Sequence, residues 1–478
     1  MITGKEYRES LRRLHPEIYY LGEKIDNVVD HPAFIPHINA AALTYDLAKA
    51  PKFEQLLTAK SHLTGETINL FTHIHHSTDD LVKKVKALRA IGQLTGSCFQ
   101  RCVGHDGLNS VFATTFDIDQ KMGTNYHRRF IEFLKKVQAQ DLMLSGAMTD
   151  VKGDRSLSPS QQKDPDLYLH LVEKNSEGII VSGAKAQITG AVNSHGHLIM
   201  PTTSMRVEDS DYAVSFYIPA DAPGLLYIFG RQTNDTRKCN CTLDQGNKDY
   251  GIVGGEALMV FDRVFVPWEN VFMCGEYGFA SDLVERFATA HRQNYGGCKV
   301  GLSDVIIGTC YAISEIQGVA KANHIREKLV EMVHLSETLY CCSLACSCQG
   351  VALPAGSYMA DPLLANVTKL NVTRNVYEIA RLAQDIAGGV LATAPSEMDL
   401  KDSRIGKYVE KYLKSVEGST AETRLRLVRL LEAMTCGTAL VESMHGAGSP
   451  QAQRIMIQRQ ANFENKKRLA NRLANIGD

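Results

Sequence analysis

The sequence predicts an α+β fold in which a β-rich middle segment separates two helical segments. Hydrophobic residues recur at helical spacing before about residue 140 and after about residue 276. Short runs rich in β-branched and aromatic residues, bounded by Gly, Pro, Asn and Asp, fill the stretch between. We therefore expect an N-terminal helical domain (1–140), a middle β-barrel domain (141–275) and a C-terminal helical bundle domain (276–478).

The composition is that of an ordinary globular protein, with 44% hydrophobic and 22% charged residues in 478. Because 52 basic residues balance 53 acidic ones, neither nucleic acid nor a membrane surface is expected as an electrostatic partner. No apolar run has the length of a signal peptide or a membrane span, so we expect a cytoplasmic protein. The twelve cysteines should then be thiols, ligands or core residues rather than disulfides.

In the first segment, Ser77 and Asp80 match a capping box that begins a helix. Leu81, Val85 and Leu88 follow at helical spacing, and the helix should run towards Gly96. This helix would deliver the next cysteine, Cys98, near its end or at the start of the following helix.

The middle segment contains six runs with the character of strands, at 178–181, 197–200, 212–216, 225–229, 258–261 and 264–266. A polar loop, Met148–Arg155, precedes them. Lys152 and Arg155 flank Gly153, where an anionic group could approach the backbone. The loop is therefore either a ligand-binding loop or a simple connector.

The last segment has four long periodic stretches, 305–333, 370–387, 423–439 and 450–474, which are typical of a helical bundle. The glycine-rich sequence 445–450 should break two helices, since it lacks a phosphate-loop lysine and ends in a proline suited to a helix start. Glu442, just before it, is either part of an acid/base pair with His445 or on a solvated helix face.

Four cysteines near residue 345 do not share one helical face, because Cys341 and Cys348 point one way and Cys342 and Cys346 another. We interpret them as small core residues rather than as a metal motif. The same interpretation applies to the remaining scattered cysteines: Cys239, Cys241, Cys274, Cys310 and Cys436.

A second set of residues has the types needed for a metal site. On a helix, His291, Tyr295 and Cys298 share a face, as do Cys98 and Cys102. Together the two faces would offer three sulfurs and an imidazole. Such a set suits structural zinc, whereas iron–sulfur clusters are usually held by cysteine alone, and buried packing cysteines are the alternative to both. The glycines at 296 and 297 should allow something bulky to approach the backbone.

Five stretches of the chain also resemble a known family: SCFQRCVG (97–104), GAMTDVKGDR (146–155), HRQNYGGCKVG (291–301), SETLYCC (336–342) and ESMHGAGSPQAQRIMI (442–457). With them the chain resembles the 4-hydroxybutyryl-CoA dehydratases, a branch of the 4-hydroxyphenylacetate 3-monooxygenase family. That resemblance implies an acyl-CoA-dehydrogenase-like fold. The two cysteine-containing stretches at 97–104 and 291–301 are the specific ones, because the monooxygenase branch lacks the cluster they imply.

Carried over residue by residue, the resemblance implies a [4Fe–4S] cluster bound by Cys98, Cys102, His291 and Cys298. It implies FAD in the groove between the middle and helical domains. The residues implied to bind the flavin or lie near it are Met148, Thr149, Asp150, Lys152, Gly153, Asp154, Arg155, Gln187, Ile188, Thr189 and Gln100. Those implied to act on the substrate are His291, Tyr295, Glu442, Glu256 and Lys299.

The implied activity is the radical dehydration of 4-hydroxybutyryl-CoA to crotonyl-CoA, together with vinylacetyl-CoA isomerisation. Both cofactors are needed because the proton at C3, β to the thioester carbonyl, is too weakly acidic for a side-chain base alone. The resemblance also implies a homotetramer with an acyl-CoA substrate as its partner. Two alternatives remain: a flavin-using aromatic hydroxylase without metal, and a helical interaction protein stapled by zinc.

Overall fold

The protein is described by a computed structural model that covers residues 1–232 and 241–476. None of the described helices is long and apolar enough to cross a bilayer. The helices are α1 (Gly4–Arg12), α2 (Ile35–Lys49), α3 (Glu54–Leu57), α4 (Thr78–Thr95), α5 (Arg101–Met122), α6 (Tyr126–Gln140), α7 (Ala280–Ile316), α8 (Asn323–Cys348), α9 (Pro362–Ala387), α10 (Val390–Thr393), α11 (Glu397–Lys401), α12 (Gly406–Leu413), α13 (Ala421–Thr435), α14 (Thr438–His445), α15 (Pro450–Gln460) and α16 (Phe463–Leu473).

The strands of the described residues form two larger sheets and two hairpins. Their bounds are β1 (Glu17–Tyr20), β2 (Glu23–Ile25), β3 (Thr58–Lys60), β4 (Thr67–Asn69), β5 (Leu144–Ala147), β6 (His170–Lys174), β7 (Gly178–Ile188), β8 (Gly196–Ile199), β9 (Val214–Pro219), β10 (Leu225–Phe229), β11 (Ala257–Pro267), β12 (Val271–Cys274), β13 (Val351–Ala352) and β14 (Tyr358–Met359).

The predicted β-barrel is wrong, because both larger sheets of the described residues are open. One has six strands in the order β2-β1-β10-β11-β7-β6, and the other has four in the order β12-β9-β8-β5. A barrel needs its edge strands to pair with each other, whereas β2 and β6 lie at opposite edges here. Each predicted run overlaps a strand, but the runs at 258–261 and 264–266 belong to one strand, β11, and the strands β5, β6 and β12 were missed. The pattern could not identify strand partners, because pairing depends on contacts distant in sequence.

The N-terminal segment is not purely helical. Strand β1 pairs in parallel with β10, with Ile18 opposite Tyr227, and β2 extends the same sheet. After α1 the chain therefore contributes two strands to the middle sheet before α2 begins. The division into three domains stays a prediction.

Both ends of α4 follow the chemistry that the sequence predicts. The Ser77 side chain accepts from the Asp80 backbone N–H at the start of α4, and Gly96 ends that helix in the left-handed conformation, with φ 57°. The carboxylate of Asp80 accepts from the backbone of His76 instead of Ser77. Three of the four stretches expected to be helical in the last segment are each divided between two helices. The stretch 305–333 spans the end of α7 and the start of α8, 423–439 spans the end of α13 and the start of α14, and 450–474 contains α15 and α16.

The long helix α7 lies against α4 with almost no space between the backbones. A Cβ at Gly92 would lie 2.9 Å from the carbonyl oxygen of Cys298, and a Cβ at Gly297 would lie 2.7 Å from that of Val85. Gly296 faces α8, where a Cβ would lie 2.3 Å from the Cβ of Ser343. The bulky groups that approach these glycines are therefore the two neighbouring helices, and any larger residue would separate them.

The cysteines outside the candidate site differ in exposure, and Cys342 and Cys436, predicted as core residues, are only half-buried. Cys274, Cys310 and Cys346 are buried, as predicted. Cys341 and Cys348 do share a face, but that face is exposed, so their prediction as core residues is wrong. Cys241 is buried but disulfide-bonded, against the expectation of free thiols. The prediction for Cys239 lies outside the described residues.

Candidate active site

Cys98 and Cys102 reach the site from a turn and a helix rather than from one helical face. Gln100, between them, has a left-handed backbone with φ 69° and precedes the first residue of α5. Cys98 lies before that turn, where its N–H donates to the carbonyl of Ile252 at 3.0 Å. The prediction that both cysteines share a helix is therefore wrong, because α5 begins only at Arg101, after the left-handed residue Gln100.

The second set of candidate residues lies on α7, as the spacing predicts. The rings of His291 and Tyr295 meet edge to face with centroids 5.7 Å apart. Tyr295 and Lys299 are 3% and 6% exposed. A single helix therefore carries the imidazole, the phenol, the third thiol (Cys298) and the amine into one buried region.

Cys98, Cys102 and Cys298 are free thiols that lie close enough to influence one another electrostatically. Burial raises the pKa of Cys98, and the neighbouring Glu442 and Cys298 raise it further. Burial also raises the pKa of Cys102, with Cys98 and Cys298 adding to the effect. The pKa of Cys298 is raised to about 11, chiefly by burial. The two cysteine segments therefore converge on one pocket.

Among the described residues, no three His, Cys, Asp or Glu side chains converge closely enough to hold a single metal ion. In a cubane iron–sulfur cluster each ligand binds a different iron, so four donors surround the cluster instead of meeting at one point. Three unbridged thiols, of which Cys102 is buried and Cys98 and Cys298 are half-buried, form with an imidazole a donor set suited to such a group.

A carboxylate on α14 completes the polar part of the pocket. Glu442 forms a salt bridge with Lys299, and the hydroxyl of Tyr295 donates to Glu442 Oε1 at 3.1 Å. Burial alone would raise the pKa of Glu442, but the charges of Lys299 and Lys369 overcome this and hold the pKa below its usual value. Glu442 is therefore ionised at neutral pH.

Glu256 lies close enough to Glu442 for the charge of one carboxylate to shift the pKa of the other. Its environment raises its pKa, whereas that of Glu442 is lowered. Glu256 accepts from the Thr189 hydroxyl at 3.3 Å. Burial and the negative charge of Glu442 raise its pKa to about 7. The site therefore contains one carboxylate that stays ionised and another that titrates near neutrality, which is the arrangement that separates a general base from a general acid.

Gly254 lies where the end of β7 and the turn that carries Cys98 approach each other closely. A Cβ at this position would lie 2.4 Å from Thr189 Cγ2 and 3.1 Å from both Cys98 Sγ and Gln100 Cγ. The amide of Gln100 is occupied inside the protein, since its Nε2 donates to the His37 carbonyl at 3.1 Å and its Oε1 accepts from Asn193 at 2.7 Å. Gln100 therefore shapes the turn that carries Cys98.

The loop Met148–Arg155 is anchored at one end and open at the other. Asp150 is buried and paired with Lys185 at 2.8 Å, while the residues around Gly153 are exposed. Burial and the nearby charge of Arg155 lower the pKa of Lys152, so two cations lie near each other here. Of the three residues predicted at the end of β7, Gln187 is exposed and Thr189 half-buried, while Ile188 packs in the core.

Three residues of the site were missed from the sequence. The Lys369 ammonium lies 4.5 Å from the centre of the Tyr295 ring and donates to the carbonyls of Ser443 and Met444. Arg292 donates to the carbonyl of Ala447. Asp106 is within 2.8 Å of His291 Nδ1. Each is a buried charged residue whose partners lie on other elements, so spacing along its own helix gives no signal that would have identified it.

Comparisons with known proteins find relatives over nearly the whole length of the chain. The sequence profile of the 4-hydroxyphenylacetate 3-hydroxylase N-terminal domain matches residues 3–273, and that of the C-terminal domain matches residues 280–475. A 4-hydroxybutyryl-CoA dehydratase/vinylacetyl-CoA-Delta-isomerase from Clostridium aminobutyricum is 54% identical over the full length of both chains. An oxygen-tolerant archaeal 4-hydroxybutyryl-CoA dehydratase structure from N. maritimus is 51% identical, covers 100% of this chain and 95% of its own, and superposes with a TM-score of 0.97.

More distant structures share the fold alone. The oxygenase component of 4-hydroxyphenylacetate 3-monooxygenase, complexed with FAD, is 22% identical, covers 99% of this chain and 98% of its own, and has a TM-score of 0.87. Butyryl-CoA dehydrogenase from Megasphaera elsdenii is 14% identical, covers 88% of each chain and has a TM-score of 0.52, which confirms the predicted likeness to acyl-CoA dehydrogenases. The chain therefore belongs to the 4-hydroxyphenylacetate 3-hydroxylase family and, within it, to the branch of the 4-hydroxybutyryl-CoA dehydratases.

Proposed function

We propose that the protein dehydrates 4-hydroxybutyryl-CoA to crotonyl-CoA, and isomerises vinylacetyl-CoA, with FAD and a [4Fe–4S] cluster. The full-length identity of 54% to an enzyme named for both activities supports the reaction. The observation that carries the proposal is the convergence of the Cys98 turn with α7 beside an ionised Glu442. Neither a zinc staple nor an aromatic hydroxylase explains why those thiols adjoin two carboxylates whose pKa values are shifted in opposite directions.

Four side chains would hold the cluster: Cys98, Cys102, His291 and Cys298. When bound, the cluster supplies a Lewis acid for the hydroxyl that leaves C4 of the substrate. An imidazole ligand is neutral and more easily displaced than a thiolate, so the iron held by His291 is the one suited to this contact. The surrounding burial excludes water that would compete for it.

The flavin would lie beside the Met148–Arg155 loop and the end of β7. Lys152 and Arg155 would pair with its pyrophosphate, and Thr189 would contact it between this loop and the cysteine turn. When bound, FAD supplies one-electron chemistry that makes the C3 proton removable. The fold relative that was solved with FAD supports this assignment.

Different side chains of the protein would carry out the separate proton transfers. Both reactions move a proton from C2 to C4, and we assign that transfer to the carboxylate of Glu442, the group that is ionised at neutral pH. Tyr295 donates to the same carboxylate and orients it, while Lys299 balances its charge. Glu256, with a pKa of about 7, would take the proton from C3 and pass it to the departing hydroxyl, so that water is released and the carboxylate returns to its starting state.

Anaerobically purified protein tests the proposal. We expect iron, acid-labile sulfide and flavin in the protein, and conversion of both CoA thioesters. Flavin without iron would favour the aromatic hydroxylase, and zinc without flavin would favour the interaction protein. A matched pair of variants tests the role of Glu442: deuterium exchange at C2 should be lost in Glu442→Gln and kept in Glu432→Gln, which changes a glutamate outside the pocket. Equal exchange in the two variants would contradict that role.

The assembly and location remain proposals as well. We infer a homotetramer, as the family resemblance implies. Apolar side chains exposed along the last helix, with Phe463 and Leu473 at 60% and 80% exposure, support a subunit contact there. Light scattering of the purified protein would give the mass of the assembly, and a monomer would contradict the inference. The cytoplasmic location expected from the sequence stays a prediction.

A further inference from the structure

Asp106 is a buried carboxylate that none of the proton transfers above requires. It lies on α5, one turn after Cys102, with no solvent exposure. Its Oδ1 accepts from the Lys84 ammonium at 2.6 Å, and its Oδ2 accepts from the Asn294 amide at 2.6 Å. The same Oδ2 lies 2.8 Å from Nδ1 of His291.

This arrangement decides which nitrogen of His291 carries the ring proton. A carboxylate paired with an ammonium group can only accept hydrogen bonds, so Nδ1 must be the donor in its contact with Asp106. The other nitrogen, Nε2, then keeps its lone pair. Histidine ligands of metals are commonly oriented in this way by a carboxylate on the opposite ring nitrogen.

We propose that Asp106 is a positioning residue that presents Nε2 of His291 to the iron–sulfur cluster. This inference rests on the proposed function, because it concerns the ligand that the cluster would use. Asp106 touches neither the substrate nor the cluster and acts through the imidazole.

Other contacts of the ring agree with a fixed orientation. The rings of Phe287 and His291 stack with centroids 5.7 Å apart and an interplanar angle of 17°. On its next turn the helix brings Tyr295 edge-on to the same imidazole. The ring is therefore held on two sides by aromatic contacts and at Nδ1 by Asp106.

Lys84 keeps the carboxylate in place. Besides Asp106, its ammonium donates to the carbonyl of Ala290 at 3.1 Å and to Gln293 Oε1 at 3.3 Å, so it joins α4 to both α5 and α7. These contacts are within reach only because the glycines between α4 and α7 allow the two helices to approach closely. The close packing of α4, α5 and α7 therefore also fixes the orientation of the His291 ring.

Asparagine at position 106 would preserve the shape but not the pattern of acceptors. If its oxygen faced His291, its amide would face the Lys84 ammonium, donor against donor. If its amide faced His291, Nδ1 would have to accept and Nε2 would carry the proton, so Nε2 could not bind iron. We therefore expect Asp106→Asn to weaken the hold on the histidine-bound iron by about 10- to 100-fold, as for other outer-shell partners.

The test uses Mössbauer spectroscopy of iron-57-enriched protein, with iron and sulfide analysis. In Asp106→Asn the iron that His291 would bind should be lost, while flavin content is retained. Dehydration should fall by a larger factor than isomerisation, because isomerisation has no leaving hydroxyl. Asp117→Asn is the matched control. It removes a carboxylate that joins the same two helices through Arg286 at 2.5 Å without contacting His291, and it should keep the wild-type spectrum.

Cysteine at position 291 provides a second comparison. A thiolate has no second ring nitrogen whose protonation must be fixed. Asp106→Asn should therefore not change the iron content when it is combined with His291→Cys. An equal loss of iron in the two backgrounds would overturn the proposal, since Asp106 would then act through general stability.

Two outcomes separate this inference from the function on which it rests. If wild-type protein loaded anaerobically binds no iron and sulfide, the proposed function fails and the inference fails with it. If the wild type holds a cluster and Asp106→Asn has the same spectrum, only the inference fails. If the variant does not fold, electron–nuclear double resonance of wild-type protein with labelled histidine replaces it: coupling to Nε2 supports the proposal, and coupling to Nδ1 overturns it.

Discussion

The carboxyl group of Glu256 should make the protein less stable as the pH rises, and replacing it with an amide should remove this effect. Burial and the charge of Glu442 raise its pKa from 4.5 to about 7. The folded protein therefore disfavours the ionised form by about 3 kcal/mol relative to the unfolded chain. Because the folded state keeps a proton that the unfolded chain releases, the free energy of unfolding should fall between pH 4.5 and about 7, and the full cost applies above that.

Urea denaturation of wild-type protein and Glu256→Gln, each with its cofactors bound, measures this effect. Glutamine can still accept the hydrogen bond from Thr189, so the two proteins should be about equally stable near pH 5, and the variant should gain up to about 3 kcal/mol near pH 8. Glu269→Gln, at an exposed position, should show no such difference. A gain of the same size at both pH values, or none at either, would refute the reasoning.

Four further changes follow from the same pocket. Glu442→Gln should abolish both activities and destabilise the protein by about 3–5 kcal/mol, because Lys299 is left buried without its partner; turnover and urea denaturation measure the two effects. Tyr295→Phe should cost about 1 kcal/mol in stability but slow turnover, as kcat at saturating substrate would show. Gly446→Ala would place a Cβ 1.9 Å from the Tyr295 hydroxyl, so turnover should fall while flavin absorbance persists. Lys369→Met removes the ammonium that donates to the carbonyls at the end of α14, so kcat should fall more than in Lys369→Arg. Wild-type turnover in any of the four would contradict the corresponding contact.

Local patterns identified much of the fold, because they depend on neighbouring residues. The strand over 225–229 and the helix that follows Ser77 are where the sequence predicts them. The pairing of strands was not predictable in the same way. Nothing near β1 indicates that it pairs in parallel with β10, some two hundred residues later, and that uncertainty is what made a closed barrel a reasonable but wrong prediction.

In the candidate site, too, local spacing predicted some features and missed those that depend on distant contacts. The shared face of His291, Tyr295 and Cys298 follows from helical spacing alone and holds in the structure. The face expected for Cys98 and Cys102 does not, because one left-handed residue at Gln100 interrupts the helix. Residues whose role depends on partners from other elements could not be assigned from spacing, since their contacts exist only once the helices have packed.

Crystals grown anaerobically and measured at the iron absorption edge would test the central claim most directly. The account predicts anomalous density for a compact iron cluster enclosed by Cys98, Cys102, His291 and Cys298, with Nε2 as the histidine ligand. Iron bound elsewhere in a protein that converts 4-hydroxybutyryl-CoA, or full turnover in crystals without iron, would contradict it.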